Sequence, residues 1–270
     1  MSDPSCHIVS VHPELGVRGD LHIYLPSVEG ASFPFVLGVH GGAWRSGDQA
    51  ALNYMPPKLA PLGVAVVLVS YRLAPAHPFP AAYEDLLHVL RWLKEHGSEH
   101  SLDPSRCLLF GASAGGHLAM LLATRAIKEN HASPTIRGVA QYCGIMDTVA
   151  QYAWDEQIKH FMTRDFLQAS PESNPGIFNA ASPLAHVHPH MPPVWMAHGM
   201  ADRTVPLEQS QVMVERLRAL GNDVVYLEAC GLSHTSREVD ASGKPVEPFE
   251  LLFERDLLRF VERTLLHGKT

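Results

Sequence analysis

Hydrophobic positions along this chain alternate between two rhythms. Short apolar or alternating runs predict strands at His7–Val11, Gly19–Leu25, Pro34–Val39, Val64–Ser70, Arg106–Phe110, Gly138–Tyr142, Pro193–Ala197 and Asp223–Glu228. Between them lie segments with helical spacing. Ala81–His96 places Tyr83, Leu86, Leu87, Leu90 and Leu93 on one face and meets Gly97 as a stop signal. Gly116–Glu129, Glu208–Leu220 and Pro248–Leu266 read the same way, Glu208–Leu220 being followed by Gly221.

Val64–Val69 (VAVVLV) has no polar face at all, the pattern of a strand covered on both sides in a parallel sheet. Strands separated by helices of about 12 to 16 residues predict right-handed βαβ units. The expected fold is therefore α/β, a mostly parallel eight-stranded sheet flanked by helices, with residues 1–270 forming one domain. The one long interruption is 144–192, which holds Tyr152, Trp154, Phe161 and Phe166 and reads as a small lid-like insertion.

Composition narrows the function classes. The chain has 270 residues, 46% hydrophobic and 18% charged, as in an ordinary water-soluble domain. A net charge of -7 without a basic cluster argues against a nucleic-acid partner. No apolar run approaches the roughly 18 residues of a membrane span, and MSDPSCHIVSVHPELG lacks the features of a secretory signal. A cytoplasmic location without membrane contact is the expectation. Cys6, Cys107, Cys143 and Cys230 lie far apart with no CxxC pair, so free thiols are expected.

The chemistry concentrates in LFGASAGGHLA, Leu109–Ala119. Gly111-Ala112-Ser113-Ala114-Gly115 is a G-x-S-x-G sequence with a strand before it and a helix after it. In that setting the serine occupies a strained turn, its Oγ raised above the C-terminal edge of the sheet, where open α/β folds bind ligands. His40-Gly41-Gly42-Ala43-Trp44 follows an earlier strand, where backbone N–H groups of Gly42 and Ala43 oppose that of Ala114 as an oxyanion hole, Gly41 supporting the turn. A serine nucleophile requires a base, and the base requires an orienting carboxylate. Asp202 follows the strand PVWMA and His234 follows DVVYLE, so the expected catalytic set is Ser113, Asp202 and His234, in the chain order usual for this arrangement.

Competing residues carry less weight. Asp147 also follows a strand, but it stands before rather than after the aromatic and helical part of the lid-like segment. His198 shares the Asp202 loop and reads as a residue that shapes that turn. His186, His188 and His190 alternate in HVHPH, a metal-like pattern, but a Pro-rich loop without an acidic or cysteine partner reads as surface. No metal and no cofactor are expected.

Taken together, HGGAW, VSYRLAPAHPFPAAYEDLLHVLRWL, GASAGGHLA, HGMADRTVP and GLSH resemble the hormone-sensitive-lipase-like esterases of the α/β-hydrolase fold. Within them the chain is most similar to the short, cap-poor branch that includes feruloyl and acetyl-xylan esterases and kynurenine formamidases. The likeness runs over about residues 20–265. It implies hydrolysis of a small-molecule carboxylic ester, or alternatively of an aryl formamide, by Ser113, His234 and Asp202, and it admits a homodimer. Activity is expected to fall in acid as the catalytic imidazole protonates. Ala43 stands where many relatives carry a third glycine, and the N-terminal cap of larger lipases is missing, which argues against long-chain fats. Trp44, with the aromatic residues of 144–192, offers packing for an aryl substrate or, equally, for the lid itself, while Tyr71-Arg72-Leu73-Ala74-Pro75 reads as structural. Peptidase relatives carry an added propeller or large cap, for which 270 residues leave no room. A non-catalytic ligand-binding protein on the same scaffold is the remaining rival class.

Overall fold

The computed structural model describes residues 4–27, 32–128, 134–234, 238–239, 245–246 and 249–267. Eight strands form its main sheet: β1 (Ser5–Ser10), β2 (Asp20–Leu25), β3 (Phe33–Val39), β4 (Ala65–Val69), β5 (Leu102–Ala112), β6 (Ile136–Tyr142), β7 (Val194–Gly199) and β8 (Val224–Ala229). Their spatial order is β1-β2-β4-β3-β5-β6-β7-β8. β2 runs antiparallel to both β1 and β4, and every later neighbouring pair is parallel. The mostly parallel eight-stranded sheet is the one the alternation of patterns leads one to expect, and the fold is the α/β-hydrolase fold that the motif resemblance implies.

Every residue of β3, β4 and β7 is buried, which explains their continuous apolar sequences: each faces a packed layer on both sides. Neighbouring residues point to opposite layers. Leu37 and Leu109 join the cluster beneath α1 (Ala81–His96), α2 (Ala114–Lys128) and α6 (Glu208–Ala219), while Val36 and Leu108 join the cluster beneath α7 (Phe249–Val261). In α1 the predicted stripe of Tyr83, Leu86, Leu87, Leu90 and Leu93 is the buried face. β5 begins at Leu102, earlier than its apolar run, because Leu102 pairs with Phe33 across a shift in register. The expected helix ends at Glu129 and Pro248 lie outside the described residues.

Between β6 and β7 run three short helices, α3 (Thr148–Trp154), α4 (Glu156–Phe161) and α5 (Pro175–Ala181). Each opens on a side-chain cap. Asp147 Oδ1 accepts from the amides of Val149 and Ala150 at 2.8 and 3.1 Å, Asp155 does the same for α4, and Asn174 caps α5. Asp147 is thus engaged as a helix cap. Phe166 and Phe178 from this segment are fully buried in the core beneath α1 and α2. Among the described residues, no helix is long and apolar enough to cross a membrane.

Candidate active site

Ser113 lies between β5 and α2 with φ 56, a left-handed conformation that costs a non-glycine residue on the order of 1–3 kcal/mol. Its neighbours make the turn possible. A Cβ at Gly111 would stand 2.2 Å from the Gly115 carbonyl oxygen, and one at Gly115 would stand 2.0 Å from the Val39 carbonyl oxygen. The strained residue is pinned by its own amide, which donates to the Tyr142 carbonyl at 2.8 Å, while its carbonyl accepts from the His117 amide at 2.9 Å.

The sheet edge then delivers the other two side chains. Asp202 follows β7 and His234 follows β8, both at the C-terminal ends of parallel strands. His234 Nδ1 donates to Asp202 Oδ2 at 2.7 Å, and His234 Nε2 accepts from Ser113 Oγ at 2.8 Å. The His234 loop is held by the ends of β6 and β7. Tyr142 Oη donates to the Ser233 carbonyl at 3.1 Å, the Ala201 amide donates to the Leu232 carbonyl at 2.8 Å, and Cys143 Sγ reaches the His234 carbonyl at 3.5 Å.

Asp202 is buried and fully engaged. Its Oδ1 accepts from the amides of Thr204 and Val205 at 2.8 and 2.9 Å, and its Oδ2 accepts from His234 and from His198 Nε2, the latter at 3.2 Å. Burial on its own raises the carboxyl pKa. The hydrogen bonds from His198 and His234, the charge on His234 and the Val205 amide outweigh it and hold Asp202 well below the usual carboxylate range. His198 Nε2 also faces the Val205 carbonyl at 3.0 Å, so both neighbours of that nitrogen are acceptors and Nε2 carries the proton. Its Nδ1 accepts from Ser210 Oγ at 2.8 Å. His198 therefore does more than shape the turn: it hydrogen-bonds the orienting carboxylate itself.

The His-Gly-Gly loop approaches from β3. Gly41 lies so close to Ser113 that a Cβ there would be 3.4 Å from the Ser113 Cβ. Gly42, Ala43 and Trp44 have consecutive positive φ values of 112, 52 and 58. Among the described residues, the amides of Gly42, Ala43 and Ala114 donate to no backbone carbonyl. Tyr71 supports the loop from below, stacking on His40 at 4.4 Å and donating its hydroxyl to the His40 carbonyl at 3.0 Å. Arg72 anchors the same stretch to α1 through Asp85, with contacts of 2.8 and 2.7 Å. The YRLAP stretch is structural, as its sequence suggests.

Trp44 has a different place from the one its sequence position suggests. Its side chain is 4% exposed, stacks on Phe166 with ring centres 3.9 Å apart, and donates from Nε1 to His117 Nδ1 at 3.1 Å. Left-handed backbone at Ala43 and Trp44 accompanies this inward placement, and the indole forms no part of the cavity wall. The 144–192 insertion likewise contributes no wall residue; it backs the His-Gly-Gly loop through Phe166.

The cavity over Ser113 has a volume of about 840 Å³. Gly41, Gly42, Ala43 and His234 surround its reactive end, and Phe110, Trp195, Phe253 and Leu257 form an apolar wall extending beneath α7. Lys58 and Glu254 form an ion pair in that wall. Cys143 also lines it, its thiol pushed up by burial and by the Asp202 charge, so it stays protonated. The sequence signals none of these wall residues, because they meet only through long-range folding. All four cysteines are free. Among the described residues, Cys143, Asp202 and His234 are the one group of three potential metal-ligating side chains whose ligand atoms lie within 4.8 Å of one another. The HVHPH histidines do not converge: His186 approaches the Ala180 carbonyl at 3.3 Å, and the His188 ring accepts from the His190 amide at 3.2 Å.

Comparison with known proteins agrees with this architecture. Esterase LipQ of Mycobacterium tuberculosis (strain ATCC 25618 / H37Rv) is 30% identical over 213 residues, covering 76% of this chain and 51% of LipQ. Isoprenylcysteine alpha-carbonyl methylesterase ICME of Arabidopsis thaliana is 28% identical over 240 residues, covering 81% of this chain and 54% of ICME. This chain spans about half the length of these curated relatives. A structure described as a bacterial heroin esterase shares the fold with a TM-score of 0.82 at 22% identity, covering 98% of this chain and 85% of that one. The model of the BD-FAE family matches residues 21–217, and the chain belongs to that family.

Proposed function

We propose that this protein is a serine hydrolase of carboxylic esters, acting on short-chain or aryl esters through an acyl-enzyme. The observation that carries the reading is the continuous hydrogen-bonded path Asp202–His234–Ser113, with links of 2.7 and 2.8 Å, opening into the cavity. Ser113 Oγ attacks the ester carbonyl carbon as its proton passes to His234 Nε2. Asp202 fixes the Nδ1–H tautomer and stabilises the imidazolium that forms. The amides of Gly42, Ala43 and Ala114 receive the developing oxyanion beside the N-terminus of α2, whose dipole favours negative charge. His234 then returns the proton to the leaving alkoxide, and a water activated by the same imidazole releases the acid.

Aromatic wall residues such as Phe110, Trp195 and Phe253 support the aryl part of this reading, since flat rings pack against them at little entropic cost. Initial rates on p-nitrophenyl acetate, butyrate, octanoate and laurate, beside N-formyl-kynurenine, test it. Wild type should cleave the short esters fastest and Ser113→Ala should cleave none above background. Dominant turnover of N-formyl-kynurenine would assign the site to formamide hydrolysis instead.

A further inference from the structure

Apart from His234, the charged side chains in the cavity wall among the described residues are Arg45, Lys58 and Glu254. The last two pair with each other. Arg45 stands two residues beyond Ala43, immediately past the oxyanion loop, and its surroundings do not neutralise it. Its Nη1 lies 3.5 Å from Asp165 Oδ2, but that carboxylate has a closer partner in Arg164, whose Nε and Nη2 reach it at 2.7 and 3.1 Å. One carboxylate is therefore shared by two guanidinium groups, and the cluster keeps a net positive charge.

Arg45 lines the cavity, and its side chain keeps an open side. The Arg45 side chain is 51% exposed, whereas the Asp165 side chain behind it is 4% exposed. The guanidinium rests on the Phe161 ring, 5.2 Å from its centre, and Phe161 stacks in turn on Trp44 at 6.1 Å. An aromatic plate thus supports the cation from one side, a favourable arrangement in itself. The Asp165 contact engages one nitrogen of a group that has five N–H donors.

We infer that Arg45 selects esters that carry a second, anionic group. A carboxylate on the acyl or leaving-group side pairs with the guanidinium while the ester carbonyl sits over Ser113. The inference rests on the ester-hydrolase reading above and names the substrate class for the same site.

Two matched pairs of esters test it: 4-carboxyphenyl acetate against 4-carbamoylphenyl acetate, and p-nitrophenyl hemisuccinate against p-nitrophenyl butyrate. Within each pair, the ratio of kcat/KM for the anionic to the neutral ester is compared between wild type, Arg45→Gln and Arg45→Lys. The ratio should fall about tenfold in Arg45→Gln for at least one pair, the scale of one charge-assisted hydrogen bond, and recover partly in Arg45→Lys. The change should lie mainly in KM. If Arg45→Gln does not fold, wild type alone still decides. Raising ionic strength from about 0.05 to about 0.5 M should then lower kcat/KM for the anionic ester of that pair and leave its neutral partner unaffected. Ratios unchanged within about twofold in both pairs, or without salt dependence, overturn the role of Arg45 while leaving ester hydrolysis in place. If wild type cleaves none of the four esters, the hydrolase reading fails and the inference with it.

Discussion

His198 and His234 donate to the same oxygen, Oδ2 of Asp202, at 3.2 and 2.7 Å. One imidazole belongs to the proposed proton path, and the other is wholly buried and fixed by Ser210 and Val205. The second imidazole keeps the carboxylate aimed and ionised. His198→Leu removes one of four donors to Asp202, so kcat should fall about tenfold while KM changes by less than about threefold, the cost of one hydrogen bond to a charged group. Steady-state kinetics on p-nitrophenyl butyrate would read this, and an unchanged kcat would show that His198 serves only the turn.

Asp202→Asn should be far more damaging. An amide can present its NH2 group to His234 Nδ1 and favour the wrong tautomer, a loss of about 10⁴-fold in kcat in the analogous serine-protease triad. The fold should survive, with a circular dichroism spectrum like that of wild type. A loss of less than about tenfold would remove Asp202 from the triad.

Acid stability should depend on a histidine outside the catalytic path. Burial pushes His117 down to about 4, although its Nε2–H bond to the Ala181 carbonyl at 2.7 Å works against the shift. In the unfolded chain an imidazole titrates near about 6.5, so between that pH and about 4 the unfolded state binds more protons. The stabilisation from neutral, buried His117 is thus fully present above about pH 6.5 and is lost as pH falls towards about 4, roughly 3 kcal/mol in all. Denaturant midpoints between pH 7 and pH 4 should drop steeply for wild type and less steeply for His117→Gln, which cannot take up that proton. Equal slopes would contradict this.

Trp44 should matter for stability more than for substrate choice. Trp44→Phe keeps an aromatic ring against Phe166 but leaves the His117 Nδ1 acceptor without its indole donor, a cost of about 1–3 kcal/mol. The order of preference among acetyl, butyryl and octanoyl esters should remain as in wild type. A reordered preference would place Trp44 at the substrate after all.

Sequence and structure agree best where local pattern and sheet geometry coincide. Ser113, Asp202 and His234 could be picked out because each follows its own apolar run, and parallel strands bring their C-terminal ends to one edge. Gly111 and Gly115 could be read as a tight turn because only a missing Cβ permits those approaches. The direction of Trp44 could not be read, since it follows from left-handed backbone at Ala43 and Trp44 rather than from any periodicity. The Lys58–Glu254 pair joins residues 196 positions apart, a contact fixed by how α7 settles on the sheet. The 144–192 segment reads as a lid because it is long and aromatic, yet Phe166 and Phe178 are spent on the core.

The most direct measurement is rapid mixing of excess p-nitrophenyl acetate with the protein, followed by acid quench and peptide mass analysis. A burst of one p-nitrophenol per protein, with an acetyl group on the peptide containing Ser113 and neither burst nor adduct in Ser113→Ala, is the expected result. Turnover that persists in Ser113→Ala, or an acetyl group stably carried by another residue, would contradict nucleophilic catalysis by Ser113.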